Sequence, residues 1–150
     1  MTSSGKNLVI MARFIPEIEA IKKLLNDRKI NFSVTTGEIK NKADEIAKFQ
    51  NDTDVLVFVG QIATAGLGIT LTAASTMVFY SLDYSMSNFE QAKARIHRTG
   101  QKENCTYIYL IASNTVDEKI MKALKNKVNL AKSLIDDYKN GINPYEIGGF

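Results

Sequence analysis

One run constrains the fold more than any other. Residues 54–60, DVLVFVG, are apolar from Val55 to Val59 without a polar break. A strand with one wet face alternates apolar and polar residues. A strand that does not alternate is covered on both faces, which is the situation of a parallel sheet with helices on either side. Four other segments read as strands: NLVIMAR (7–13), INFSVTT (30–36), TMVFYSL (76–82) and CTYIYLIA (105–112). Helical spacing fills the gaps. Over 15–29, with Pro16 near the start, Ile18, Ile21, Leu24 and Leu25 recur on one side. Over 40–51 the inner positions are Ala43, Ile46, Ala47 and Phe49. Residues 87–99 read as a helix with Ser87 as N-cap and Glu90 three residues later. Residues 115–138 open on T-x-x-E, a capping box, and carry the stripe Met121, Leu124, Val128, Ala131, Ile135.

This alternation of strands and helices implies an α/β fold with a mostly parallel sheet of about five strands and a long C-terminal helix. Ligands in such sheets bind at the carboxyl ends of the strands, which singles out the loops after residues 12, 36, 59, 82 and 112. The 150 residues fit one domain over 7–138, with an unstructured lead-in at 1–6 and a turn-rich surface tail at 139–150.

Composition removes several function classes. The net charge of +3 is too small to indicate nucleic-acid binding without a local patch. A single cysteine, Cys105, forms no intrachain disulfide, and its apolar surroundings read as those of a small buried hydrophobe. No His/Cys cluster has metal-ligand spacing, so no metal site is expected. No signal peptide and no run of about 20 apolar residues is present, so a cytoplasmic location is expected.

Two stretches carry chemistry. VGQIATAGLGITLTAAS (59–75) places Gly60, Gly66 and Gly68 among small residues, where backbone amides can approach a phosphate. It is neither G-x-x-x-x-G-K-[ST] nor G-x-G-x-x-G, and close packing explains such glycines as readily. QAKARIHRTGQ (91–101) places Gln91, Arg95 and Arg98 on one face of a helix, with Phe89, Ala92 and Ile96 on a second and Glu90, Lys93 and His97 on a third. A solvated charged face is the ordinary explanation. Two guanidinium groups stopped by Gly100-Gln101 fit the oxygens of a polyphosphate better.

These stretches resemble two motifs of the C-terminal RecA-like lobe of superfamily-two helicases, specifically the Swi/Snf-type DNA translocases. ATAGLGITLTAAS is similar to the fifth motif, and QAKARIHRTGQ fills every fixed position of the sixth, Q-A-x-x-R-x-x-R-x-G-Q. LVIMARFIPEIEAIKKLL looks like the fourth motif, and YIYLIASNTVDEKIMKALKNKVNLAKSLID resembles the stretch after the sixth. The segment LDYSMSNFEQ departs from the family pattern at Tyr84-Ser85-Met86 and leans towards a phage or prokaryotic member, hence a bacterial or phage-infected cytoplasm. Ala65-Gly66 stands where the family has paired glycines.

The resemblance implies a RecA-like, P-loop-NTPase-like three-layer sandwich. It implies an ATP hydrolase in which this lobe closes on ATP and Mg²⁺ held mainly by an N-terminal lobe. Arg95 and Arg98 are then catalytic arginine fingers. Gln91, Thr64, Gly66 and Gly68 belong to the ATP side. Arg13, Gly37, Lys40, Lys42, Leu67 and Thr70 lie along the DNA backbone. The sequences DEIA (44–47) and DEKI (117–120) imitate an Asp-Glu box but sit on amphipathic helices. With no Walker A loop, the chain alone is expected to be inactive and to be one half of a longer enzyme. The alternatives are a non-catalytic nucleic-acid-binding or regulatory module that keeps the fold, and an unrelated Rossmann-like enzyme. The missing dinucleotide fingerprint speaks against the second.

Overall fold

The computed structural model describes residues 7–64, 69–83, 85–112 and 115–141. Its elements follow the expected alternation: β1 (Asn7–Ala12), α1 (Ile15–Asp27), β2 (Phe32–Thr35), α2 (Lys42–Asn51), β3 (Val57–Gln61), β4 (Ala74–Phe79), α3 (Met86–Lys93), β5 (Thr106–Tyr109) and α4 (Val116–Lys139). All four strand pairings are parallel, and the order across the sheet is β2-β3-β1-β4-β5.

That order explains how the faces are covered. The chain steps from β1 outward to β2, and every later connection steps back the other way. Right-handed crossovers therefore send α1 to one face and the later helices to the opposite one. The packing agrees. Ile18, Ile21 and Leu25 of α1 meet Ala12, Val57 and Val59. On the opposite face Phe49 of α2, Phe89 and Ala92 of α3, and Ile120 and Leu124 of α4 meet Val9, Met11, Phe58, Met77 and Phe79. The middle of DVLVFVG is buried on both sides, as its sequence requires. Gly60 lies inside β3, where an added Cβ would stand 2.9 Å from Met11 Sδ and 3.0 Å from Phe58 Cε1. It is a packing glycine and not part of a ligand loop.

Several boundaries differ from the sequence reading. The N-cap of α3 is Ser85, whose hydroxyl accepts from the Asn88 amide, and not Ser87. The helix ends at Lys93. Beyond it the Arg95 and Ile96 amides donate to the carbonyls of Ala92 and Lys93, tighter i−3 bonds that keep Ile96 turned inward although the helix has stopped. Leu24, Ala43 and Ala47 face solvent, leaving Phe49 as the buried residue of α2. On α4 the expected stripe is inward only at its start. Leu124 is buried, Met121 half-buried, and Val128, Ala131 and Ile135 are exposed, because the helix outruns the sheet. Its opening also differs from a T-x-x-E box. Thr115 Oγ1 accepts from the Asp117 amide, and Asp117, not Glu118, reaches back to the Ala112 amide.

Candidate functional site

The candidate residues fall at two opposite ends of the strands. At the carboxyl ends stand Arg13 after β1 and Gly37 and Lys40 after β2, with Lys42 opening α2. Arg13 is held through its backbone: its amide donates to Ser81 Oγ at 2.7 Å, and Ser81 Oγ donates to Glu17 Oε2 at 2.5 Å. Glu17 also accepts from the Phe14 amide at 3.4 Å. This chain of bonds ties the end of β4 to the start of α1 and leaves the Arg13 guanidinium over the Phe14 ring, 4.9 Å from its centroid. Gln61 joins the first two loops. It accepts from the Gly37 amide at 3.3 Å and donates to the Arg13 carbonyl at 3.5 Å.

Arg95 and Arg98 lie at the other end. α3 runs back along the sheet, so the turn after it comes to the amino end of β4. There Arg95 Nη1 and Arg98 Nη1 donate to the same carbonyl, that of Ile69, at 3.4 and 3.0 Å. The Leu71 amide answers by donating to the Arg95 carbonyl at 2.9 Å. Arg95 is 9% exposed, and its Nε has no hydrogen-bond partner. Burial, and then the Arg98 charge, lower its pKa, although a guanidinium so placed still carries its proton in neutral solution. Arg98 is exposed. Among the described residues neither arginine has a carboxylate partner. Gly100, at φ +99°, closes the turn in the left-handed region that favours glycine.

The arginines are thus brought together, but not on a helix face and not at the carboxyl ends of the strands. Gln91 is not joined to them: its amide donates to Ser87 Oγ at 3.2 Å on the exposed side of α3. Gly66, Leu67 and Gly68 lie outside the described residues, as does the side chain of Thr64. Thr70 is half-buried next to Ile69. The two acidic look-alikes serve the backbone. Glu45 accepts from the Val34 amide on the outer edge of β2 at 2.8 Å, and Asp117 helps open α4.

Sequence reasoning missed the residues that hold this arrangement. Gln101 Nε2 donates to the carbonyls of Ala74 at 2.6 Å and Ile96 at 2.9 Å. Its Oε1 accepts from the amides of Lys102 and Glu103, both at 3.1 Å. Gln50, Ser81 and Glu17 were likewise unmarked. A glutamine or serine in isolation gives no periodic signal, and only the last residue of the sixth motif hinted at Gln101. An apolar cleft of about 550 Å³ between α3, β5 and α4, lined by Met86, Phe89, Tyr109 and Met121 among others, contains none of the candidate residues.

A parallel α/β lobe with paired arginines on the stretch before β4 defines a class, and the comparisons agree with it. Residues 1–100 match the family described as helicase conserved C-terminal domain, and the chain belongs to that family. Among curated relatives, the human chromatin-remodeling ATPase INO80 is 32% identical over 137 residues, 90% of this chain and 9% of that protein. The ATP-dependent helicase fft2 of Schizosaccharomyces pombe is 30% identical over 142 residues, 93% of this chain and 11% of that protein. The chain spans no more than 17% of the length of such relatives, the upper value coming from a Drosophila melanogaster SWI/SNF-related regulator of chromatin. The crystal structure of the C-terminal part of the Fun30 ATPase domain superposes with a TM-score of 0.78 at 22% identity, covering 82% of this chain and 40% of that one. The fold is RecA-like, as expected. The leaning towards a phage or prokaryotic member finds no support in these relatives, which are eukaryotic. Among the described residues no helix is long and apolar enough to cross a membrane.

Proposed function

We propose that the chain is the C-terminal ATPase lobe of an ATP-dependent DNA helicase or translocase, working with an N-terminal lobe that holds ATP. The observation that carries this reading is the pair of guanidinium groups converging on Ile69 without a carboxylate partner. Such groups fit a triphosphate: planar donors that stay charged, one buried and fixed, one exposed and able to reach. Arg98 is the finger that would meet the γ-phosphate. Arg95 would orient it and add positive charge. Charge that grows on the phosphoryl oxygens during transfer is stabilised by donors already in place, an effect of roughly 10³–10⁵ in rate for such a finger. Among the described residues no three His, Cys, Asp or Glu side chains gather as a metal site, so Mg²⁺ would arrive with the nucleotide and the N-terminal lobe.

Arg13, the Gly37 amide, Lys40 and Lys42 are the DNA side of the reading, supported by their common location at the carboxyl ends of the strands. Contacts of this kind hold the backbone without reading sequence. The test is ATP turnover of the full-length protein with and without duplex DNA. DNA-stimulated turnover that vanishes in Arg98→Ala, with DNA binding kept, is the expected result. Turnover unchanged in Arg98→Ala would overturn the finger. Absence of any hydrolysis by the full-length wild type would favour a non-catalytic nucleic-acid-binding module.

A further inference from the structure

The connection from β3 to β4 is unlike the others. It runs the length of the sheet, from the carboxyl end of β3 at Gln61 to the amino end of β4 at Ala74, with a short 3₁₀ turn (Ile62–Thr64) at its start. Its first end touches the proposed DNA edge through Gln61. Its second end touches the arginine turn. That second end has no helix of its own to satisfy its backbone, and two glutamine amides do so from opposite sides. Gln50, near the end of α2, accepts from the Ala73 amide at 2.7 Å and donates to Thr72 Oγ1 at 3.2 Å. Gln101 donates to Ala74 and to Ile96, one carbonyl on each side of the junction.

We infer that Gln50 and Gln101 are positioning residues that fasten the Thr72–Ala74 end of this crossover to the arginine turn, so that DNA held at the opposite edge is felt at Arg95 and Arg98. The inference rests on the proposed function and deepens it. A displacement of the crossover moves the arginines only if residues 71–74 and the turn move as one body. Gln101 and the Leu71–Arg95 bond join them directly. Gln50 supplies the reaction point on α2, against which the crossover is held. Without it, the crossover end is tethered on one side only. Gln50 lies outside both helicase motifs, and nothing in its sequence context marks it.

The test is the ratio of DNA-stimulated to DNA-independent ATP turnover in the full-length protein. A variant that merely lowers the folded fraction scales both rates and leaves the ratio unchanged. Gln50→Ala is expected to lower the ratio about tenfold, a coupling change typical of linked sites. Thr72→Val, which removes the acceptor for Gln50, is expected to lower it too, whereas Thr72→Ser keeps it. The double variant Gln50→Ala with Thr72→Val should be no worse than Gln50→Ala, because both cut the same link. A wild-type ratio kept in Gln50→Ala overturns the inference and leaves the proposed function standing. A Thr72→Ser ratio as low as that of Thr72→Val also overturns it. A wild type that DNA does not stimulate overturns the proposed function, and this inference with it.

Discussion

The two ends of the sheet are built to different tolerances. At the amino end, Arg95, Arg98, Gln50 and Gln101 hold residues 69–74 by bonds that include two of 2.6 and 2.7 Å. At the carboxyl end, the loop after β2 is held by longer ones: Gly37 N–H to Gln61 at 3.3 Å, Ile39 N–H to the Thr36 carbonyl at 3.3 Å and Glu38 N–H to Thr36 Oγ1 at 3.4 Å. Arg13 is the exception, fixed through Ser81 and Glu17. The difference has a physical sense under the proposed function. A finger that stabilises a transition state must be in place beforehand, since reorganisation at the moment of reaction raises the barrier. A loop that follows a phosphate backbone without reading bases can give way by about an ångström and still bind.

The sharpest way to break this comparison is at Arg98. Arg98→Ala is expected to lower DNA-stimulated ATP turnover of the full-length protein by about 10³-fold or more, and Arg98→Lys to recover only a small part, because a point charge does not reproduce the planar fork. Full activity in Arg98→Lys would mean that charge alone matters there. Gln101→Ala comes next. It strands the Ala74 and Ile96 carbonyls and two amides, and should destabilise the domain by about 2 kcal/mol, read from denaturant midpoints. A stability unchanged in Gln101→Ala would erase the contrast between the two ends. At the carboxyl edge, Lys40→Ala and Lys42→Ala together should leave stability unchanged. They should weaken DNA binding and flatten the slope of log affinity against log salt by about one unit for each phosphate no longer neutralised. A salt slope that does not change would remove both lysines from the DNA edge.

The topology was legible because burial dictates it. DVLVFVG could only be a central strand of a parallel sheet, and β3 sits between β2 and β1. The pairing of Arg95 with Arg98, the stop at Gly100 and the core positions Phe89, Ala92 and Ile96 were equally plain from spacing. What spacing could not show was where the helix ends. Ile96 stays inward through i−3 bonds, so helical periodicity outlasts the helix and made a face out of residues that lie in a turn. Nor could it show that α3 carries the arginines away from the carboxyl ends of the strands. The general rule about ligand sites pointed to the loops of Arg13 and Gly37 and missed the turn of Arg95 and Arg98. On α4 the apolar stripe was real, but whether a stripe is covered depends on how far the sheet extends beneath it, which no local pattern encodes.

The smallest effect concerns how the arginine turn is attached to β5. Tyr107 donates its hydroxyl to the Lys93 carbonyl, the last of α3, at 3.1 Å, and its ring lies 5.2 Å from Lys93 Nζ. Burial, then the neighbouring Cys105, raises the tyrosine pKa from 10.0 to about 12. The folded state therefore holds this proton more tightly than the unfolded chain. Its contribution is complete below about pH 10, where both states are protonated, and is lost as pH rises towards 12. Tyr107→Phe should lower stability at about pH 9 by about 1 kcal/mol, the size of one hydrogen bond, and should remove this part of the decline at alkaline pH. Denaturant midpoints for both proteins at several values from about pH 9 upward give the comparison. If the two curves fall in parallel above about pH 10, the proton on Tyr107 contributes nothing to the attachment. The amino end would then owe its fixed geometry to the glutamine and arginine contacts alone.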